Sequence, residues 1–271
     1  MSVLLSPPQP PRLRRWAAAC LDLLFPPACA NCGRYGYRIC PRCAQRVEPV
    51  PRTICERCGR VQPQRVACCA ACRAAPPTAL HQVRAAGLYV DPLRHFIHLL
   101  KYEGRPDLAP DLARYLAACF GGDEWRSLAP RIDAISPVPL HSIRRRQRGY
   151  DQAALLAQGL SERTGIPLRL DLVERVHFHR AQVGLNAAER RANVEDAFAA
   201  RSPCTNLHVL LIDDVYTTGA TLAACARTLA DNGAALVCGL TLALPAHAEP
   251  GHSPDYAPDF SPDLLPDLSQ L

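Results

Sequence analysis

Lysine is nearly missing from this chain of 271 residues. Of 31 basic residues only Lys101 is a lysine; the rest are arginines. With alanine and proline abundant, this points to GC-rich coding more than to a special demand for arginine. Carboxylates are scarce in one region: residues 1–75 hold twelve arginines but only Asp22, Glu48 and Glu56, while the remainder is slightly acidic. Aromatic residues make up 6% of the chain. Between residues 29 and 75 only Tyr35 and Tyr37 offer rings for stacking on bases, which counts against strong single-strand binding. Long apolar runs are missing as well. None approaches the roughly 20 residues that a spanning helix requires, so membrane insertion is not expected.

The start, "RLRRWAAACLDLLFPPACA", imitates a secretory leader, but Asp22 interrupts its apolar stretch. Leu13, Trp16, Ala17, Cys20, Leu21, Leu24 and Phe25 fall on helical spacing instead. An amphipathic helix within residues 1–28, stopped by Pro26-Pro27, is the expectation. Without a leader the cysteines belong in a reducing, cytoplasmic setting and do not form a disulfide framework.

What is present is cysteine, fourteen in all, in a repeated pattern. Cys29-x2-Cys32 is followed by Cys40-x2-Cys43, and Cys55-x2-Cys58 by Cys69-x2-Cys72. Each Cys-x2-Cys turn presents two thiolates to one tetrahedral ion, and two such turns complete four soft ligands. Gly33 and Gly59 follow the first turn of each set, where a tight knuckle tolerates positive φ. Two structural zinc sites in residues 29–75 are therefore expected. Redox dithiols or free core thiols are the alternatives, and four pairs in register argue against both. Cys68 adjoins Cys69, so Cys68-x3-Cys72 stays open as a second pairing. Cys20, Cys119, Cys204, Cys225 and Cys238 lack partners at ligand spacing and read as small core residues. So arginine-rich a segment could hardly fold by burial alone, and metal would supply most of its folding energy. Each tetrathiolate site carries about −2, which cuts the module's positive excess from nine to about five.

At this length about two modules are expected, and 48% hydrophobic residues suffice for a sizeable core. After a linker, "RAAPPTAL", the pattern changes. Leu93, Phe96, Ile97 and Leu100 mark one helix face; Leu108, Leu112, Tyr115, Leu116, Cys119 and Phe120 mark another, with "KYEGRPD" as the turn between. "RIDAISPVPLH" is an apolar segment ending in prolines, and the basic "SIRRRQRGYDQ" follows it. Ala153, Leu156, Ala157 and Leu160 mark a further helix, and "PLRLDLVERV" alternates like a strand at Leu168, Leu170 and Leu172. Strands alternating with helices over residues 80–245 predict an α/β domain with a mainly parallel sheet and helices on both faces. Ligands of such sheets bind beyond the strands' carboxyl ends.

One such end is "VLLIDDVYTTGAT", residues 209–221. An apolar strand runs into Asp213 and Asp214, then a Thr-Thr-Gly turn, then a helix near Thr221. Backbone N–H groups of that turn and the helix start make a nest for a phosphate, and the hydroxyls of Thr217, Thr218 and Thr221 add donors. Two carboxylates just upstream suit a polyol, because each accepts from a hydroxyl. The stretch resembles the PRPP-binding signature of type I phosphoribosyltransferases. The resemblance implies that Asp213 and Asp214 hold the ribose hydroxyls. Thr217, Thr218, Gly219, Ala220 and Thr221 would hold the 5′-phosphate, with Mg²⁺ on the pyrophosphate and ribose oxygens.

The paired ribbons, "LKYEG", "SPVPLH", "RQRGYDQA", "QVGLNAAERRANVEDAF" and "DDVYTTGATL" occur in that order. Together, from about residue 24 to 244, they resemble the ComF family, linked to natural DNA uptake in bacteria. The family's usual Arg-Gly-Phe-Asn-Gln run departs here at Tyr150 and Asp151, and an ionised aspartate cannot donate as asparagine does. The resemblance implies a type I phosphoribosyltransferase-like fold preceded by a double zinc ribbon. It also implies a pyrophosphate contact by Arg144, Arg145 and Arg148, whose alternative is a solvated basic loop. Arg190 and Arg191 would act from a lid over the site; the alternative is an exposed helix capped by Asn186. Lys101 reaches the ligand from the acceptor side or is a plain surface lysine. His95-x2-His98 and His177-x-His179 lack carboxylate partners and read as surface residues. Candidate partners are PRPP, single-stranded DNA and a helicase of the uptake machinery. A non-catalytic DNA-handling module that senses PRPP or nucleotide is the rival to a transferase. "SPDYAPDFSPDLLPDLSQL" repeats Pro-Asp at four-residue intervals, so residues 246–271 read as a disordered tail.

Overall fold

A computed structural model describes residues 26–74, 78–176 and 197–246. The expected N-terminal helix, the Arg190–Arg191 segment, His177 and His179, and the Pro-Asp repeat fall on residues outside the described ones. Two cysteine knuckles come first, each followed by a short helix: α1 (Pro41–Ala44) and α2 (Ala70–Ala74). The α/β domain begins with β1 (Leu80–Leu88), α3 (Leu93–Tyr102), α4 (Ala109–Phe120) and β2 (Ala134–Pro137). It continues with α5 (Ser142–Arg148), α6 (Gln152–Thr164), β3 (Val173–Arg175) and β4 (Phe198–Ala200). It closes with β5 (His208–Val215), α7 (Ala220–Asp231) and β6 (Leu236–Leu244).

The main sheet has the order β1-β6-β5-β2, and all of its pairings are parallel. Both faces are covered, so the central strands are apolar on both sides. Leu210 and Ile212 of β5 join one core with α3, α4 and α6, where Phe96, Leu112 and Leu156 are buried. Val209 and Leu211 point the other way and join a second core with Leu222 and Leu229 of α7. This is the mainly parallel architecture with helices on both faces that the sequence predicts. A separate antiparallel hairpin, β3 with β4, stands beside α7.

Two local expectations are corrected. "PLRLDLVERV" is not one strand. Leu168 makes a single bridge to Ile135, residues 170–172 bend with Leu170 57% exposed, and only Val173–Arg175 is a strand, β3. Arg169 and Asp171 close this bend through paired hydrogen bonds of 2.8 and 2.9 Å, which takes the chain off the extended path. In addition, the linker gives way to β1 at Leu80, an edge strand of nine residues that the helix-based reading passes over. Its buried Gln82 and Arg84 and its Gly87 hide it from an apolar pattern.

Both knuckles pack on the domain. The first joins the core of α3 and α4 through Cys29, Cys40 and Cys43. Tyr115 donates to the Ala44 carbonyl at 3.2 Å, and His95 Nε2 lies 3.0 Å from the Ala30 carbonyl. His95 is therefore an inter-module contact, not a plain surface histidine. The second knuckle lies on β1: Val83 N–H donates to the Arg57 carbonyl at 2.9 Å. Glu124 accepts from Arg65 at 2.7 Å and from Arg84 at 2.8 Å, tying the same knuckle to the domain. The two guanidiniums hold the Glu124 carboxyl below the usual glutamate range, Arg65 most strongly.

Candidate functional site

The cysteines form two quartets, Cys29, Cys32, Cys40 and Cys43, and Cys55, Cys58, Cys69 and Cys72. Sulfurs lie 3.6 Å apart at Cys32–Cys40, 3.7 Å at Cys58–Cys69 and 4.0 Å at Cys55–Cys72. A tetrahedral zinc with bonds of about 2.3 Å needs sulfur edges of about 3.8 Å, so the donor set fits. Cys40 N–H donates to Cys29 Sγ and Cys69 N–H to Cys55 Sγ, each at 3.3 Å. Gly33 and Gly59 take φ of +73° and +72° in matching turns. The choice between Cys68 and Cys69 falls to Cys69; the Cys68 thiol instead approaches the Cys69 carbonyl at 3.8 Å. Cys204, Cys225 and Cys238 are buried core thiols, while Cys119 is half-buried.

The second centre lies where β5 ends. Asp213 pairs in register with Thr241 of β6, so both acids belong to the strand itself. Successive strand residues face opposite sides, which separates the two carboxylates. Asp214 is 4% exposed. Lys101 Nζ, from α3, lies 2.7 Å from its Oδ1, and Gln152 Nε2, from the start of α6, donates to its Oδ2 at 3.0 Å. Asp213 Oδ1 accepts from the Asp214 N–H at 2.8 Å. Burial, and then the charge of Asp214, raise the Asp213 carboxyl to about 8. Burial works against the Lys101 ammonium, but Asp214 more than offsets it and holds its pKa above the usual lysine value.

Past Val215 the chain turns through Thr217 and Thr218, both exposed, to Gly219 at φ +82°. Gly219 is the cap of α7 and has no side chain with which to cap that helix. The first intrahelical bond is Ala223 N–H to the Gly219 carbonyl at 2.9 Å, leaving the earlier N–H groups at the loop. Ala220 N–H reaches Thr218 Oγ1 at 3.3 Å.

The basic run is a helix, α5, and not a loop. Arg144 and Arg148, one turn apart, are half-buried, whereas Arg145 is exposed. Arg148 bonds to Gln152 Oε1 and stacks its guanidinium 5.4 Å from the Tyr102 ring centre. Gln152 thereby links the arginine helix to Asp214. It closes the Arg-Gly-Tyr-Asp-Gln run quoted above, but the sequence assigns it no role. Asp151 caps α6, accepting from Ala154 N–H at 3.1 Å and Leu140 N–H at 3.0 Å. Both are acceptor roles, so nothing at this position requires asparagine.

The sequence matches the double zinc ribbon domain family over residues 20–75. It is 34% identical to a DNA utilization protein, YhgH, of Salmonella typhi, covering 73% of this chain and 87% of that one. It is 33% identical to competence protein F of Haemophilus influenzae, covering 68% and 80%. The chain belongs to the ComF family. ComF relatives thus account for both halves of the molecule, the ribbons and the α/β domain. A purine phosphoribosyltransferase from Pyrococcus horikoshii overlaps 52% of this chain and 75% of its own at 17% identity, with a TM-score of 0.32; the family assignment does not rest on it. Among the described residues no helix of this ComF chain is long and apolar enough to cross a membrane.

Proposed function

We propose that this chain binds PRPP with Mg²⁺ in the cytoplasm and displaces its pyrophosphate toward an acceptor that remains to be identified. The observation that carries the reading is the acid pair at the end of β5, followed through Thr217 and Thr218 by a positive-φ glycine that starts a helix without a capping side chain of its own. Asp213 and Asp214 accept from the ribose hydroxyls, and Thr217, Thr218, Gly219, Ala220 and Thr221 surround the 5′-phosphate. Asp214 still has acceptor capacity, because a carboxylate offers about four lone-pair sites and Lys101 and Gln152 use two. Arg144 and Arg148 serve the pyrophosphate, with Arg145 further out. Arg190 and Arg191, which the family resemblance adds to the site, lie outside the described residues. Mg²⁺ would add positive charge at the pyrophosphate and ribose oxygens.

In the reaction the acceptor's lone pair bonds to the anomeric carbon while the bond to pyrophosphate breaks. Pyrophosphate leaves with the bonding electrons, and the acceptor's proton is lost. Positive charge develops on the ribose ring, and the Asp214 carboxylate at the ribose and the arginines at the leaving group stabilise that separation. Titration calorimetry with PRPP and Mg²⁺, ribose 5-phosphate and pyrophosphate tests the site. Isotope exchange between PRPP and a panel of nucleobases tests the chemistry. No binding of any of the three ends the proposal; binding without exchange favours a sensor of PRPP.

A second reading is a DNA-handling module. Tyr35 is 72% exposed and Tyr37 45%, on either side of Gly36 in the first knuckle and close in sequence to exposed Arg34. Rings and a guanidinium so placed suit the bases and phosphates of a single strand. Affinity for an oligonucleotide should fall with salt and weaken about tenfold in a Tyr35→Ser, Tyr37→Ser double variant. Unchanged affinity removes the knuckle as the contact surface. Binding of a helicase from the uptake machinery rests on the family resemblance alone.

A further inference from the structure

The second zinc knuckle touches the phosphate loop through one side chain. Arg60 Nη2 donates to the carbonyls of Thr217 and Thr218, both at 3.0 Å. Its guanidinium lies 5.3 Å from the ring centre of Tyr216. That ring in turn lies under Gly219: a Cβ on Gly219 would come within 2.6–2.8 Å of it. At its other end Arg60 is anchored to the metal knuckle, since its backbone carbonyl accepts from the Cys55 N–H at 2.9 Å. The knuckle itself is pressed on β1, where a Cβ on Gly59 would meet the Val83 carbonyl at 2.5 Å.

The consequence follows from peptide geometry. In a trans peptide the N–H points opposite to the carbonyl. The Thr217 carbonyl shares its peptide with the Thr218 N–H, and the Thr218 carbonyl with the Gly219 N–H. Holding both carbonyls on the ribbon side turns both N–H groups away from the ribbon and toward the cradle. Charge argues the same way. Four thiolates on zinc leave about −2 beside a loop meant for an anion, and the Arg60 cation stands between them.

We propose that Arg60 is a positioning residue of the phosphate loop, so that the zinc-loaded second ribbon is one wall of the anion site. The inference rests on the phosphate reading of the loop. It assigns to the ribbon a role in small-molecule binding that no zinc pattern by itself implies.

The test uses the full zinc-loaded chain and two variants, Arg60→Ala and Arg60→Lys. Arg60→Ala should weaken ribose 5-phosphate and PRPP by about tenfold, leave pyrophosphate affinity near wild type, and keep two zinc ions per chain. Arg60→Lys should recover only part of the loss, since an ammonium lacks the flat guanidinium face that lies over the Tyr216 ring. Full recovery by lysine would assign the effect to charge alone and overturn positioning. Equal loss of all three ligands would mean general unfolding and would also overturn it. If the wild type binds no phosphate ligand, the functional reading fails separately. Hydrogen exchange of the ligand-free protein then decides: it should speed about tenfold across residues 215–224 in Arg60→Ala. Unchanged exchange there overturns the proposal, whatever binds.

Discussion

The two ribbons carry the same Cys-x2-Cys pairs and the same knuckle turn, yet they do different work. The first sits on the helices α3 and α4, with Cys29, Cys40 and Cys43 in the core and its tyrosines outward. The second sits on β1 and reaches the loop before α7. A repeated motif thus fixes a metal and a shape, while the neighbours fix the role. The matched glycines state the contrast in its smallest form. Around Gly33 nothing lies within 4 Å of an added Cβ, whereas around Gly59 the backbone of Val83 does.

The largest effect expected is on the metal. Cys55→Ser should reduce zinc from about two to about one per chain and cost ribose 5-phosphate at least about tenfold in affinity. Cys29→Ser should lose the same one zinc, lower the melting temperature through the α3–α4 core, and weaken the ligand far less. Elemental analysis with calorimetry reads both, and equal ligand losses would break the comparison. Gly59→Ala comes next. Positive φ and a backbone clash together should cost about 2–5 kcal/mol, against about 1–2 kcal/mol for Gly33→Ala, where only φ is at stake. Denaturant unfolding of the two variants measures the difference.

The acid pair is a second set of twins and sharpens the same point. Asp214→Asn leaves the buried Lys101 without its counter-charge and should destabilise the protein by about 3–5 kcal/mol; adding Lys101→Met should restore much of it. Asp213→Asn should do the opposite. The folded carboxyl titrates at about 8 and the unfolded one at about 3.9, so the folded state holds the extra proton between those values. Wild-type stability therefore falls as pH rises from about 4 to about 8, and the asparagine variant escapes that fall. Melting temperatures between about pH 5 and about pH 9 should diverge in its favour. Parallel curves would show that the carboxyl is not raised.

Much of this was legible because it is local. Cys-x2-Cys pairs, a strand running into two acids and a glycine turn are contiguous signals. Period-2 alternation also tells that Asp213 and Asp214 leave the strand on opposite sides. Cys68 against Cys69 depends on which way a backbone turns, and spacing does not contain that. β1 was hidden because a buried Arg84 needs Glu124, forty residues on, to make sense. Arg60 and Gln152 act only across folded distance, on Thr217, Thr218 and Asp214. Leu168, Leu170 and Leu172 alternate convincingly, and the Arg169–Asp171 pair overrides them.

Lys101 is the one lysine in the chain, and it is bonded to the site. Protein labelled with nitrogen-15 at lysine side chains alone would therefore carry a single ammonium signal, with no assignment to make. That signal reports directly on Asp214, because exchange of its protons is slowed only while the ion pair is closed. A diol arriving at Asp214 would move it, and a ligand confined to the arginine helix would move it less. The scarcity that opens the sequence thus supplies a spectroscopic probe at the point where a substrate would first be felt.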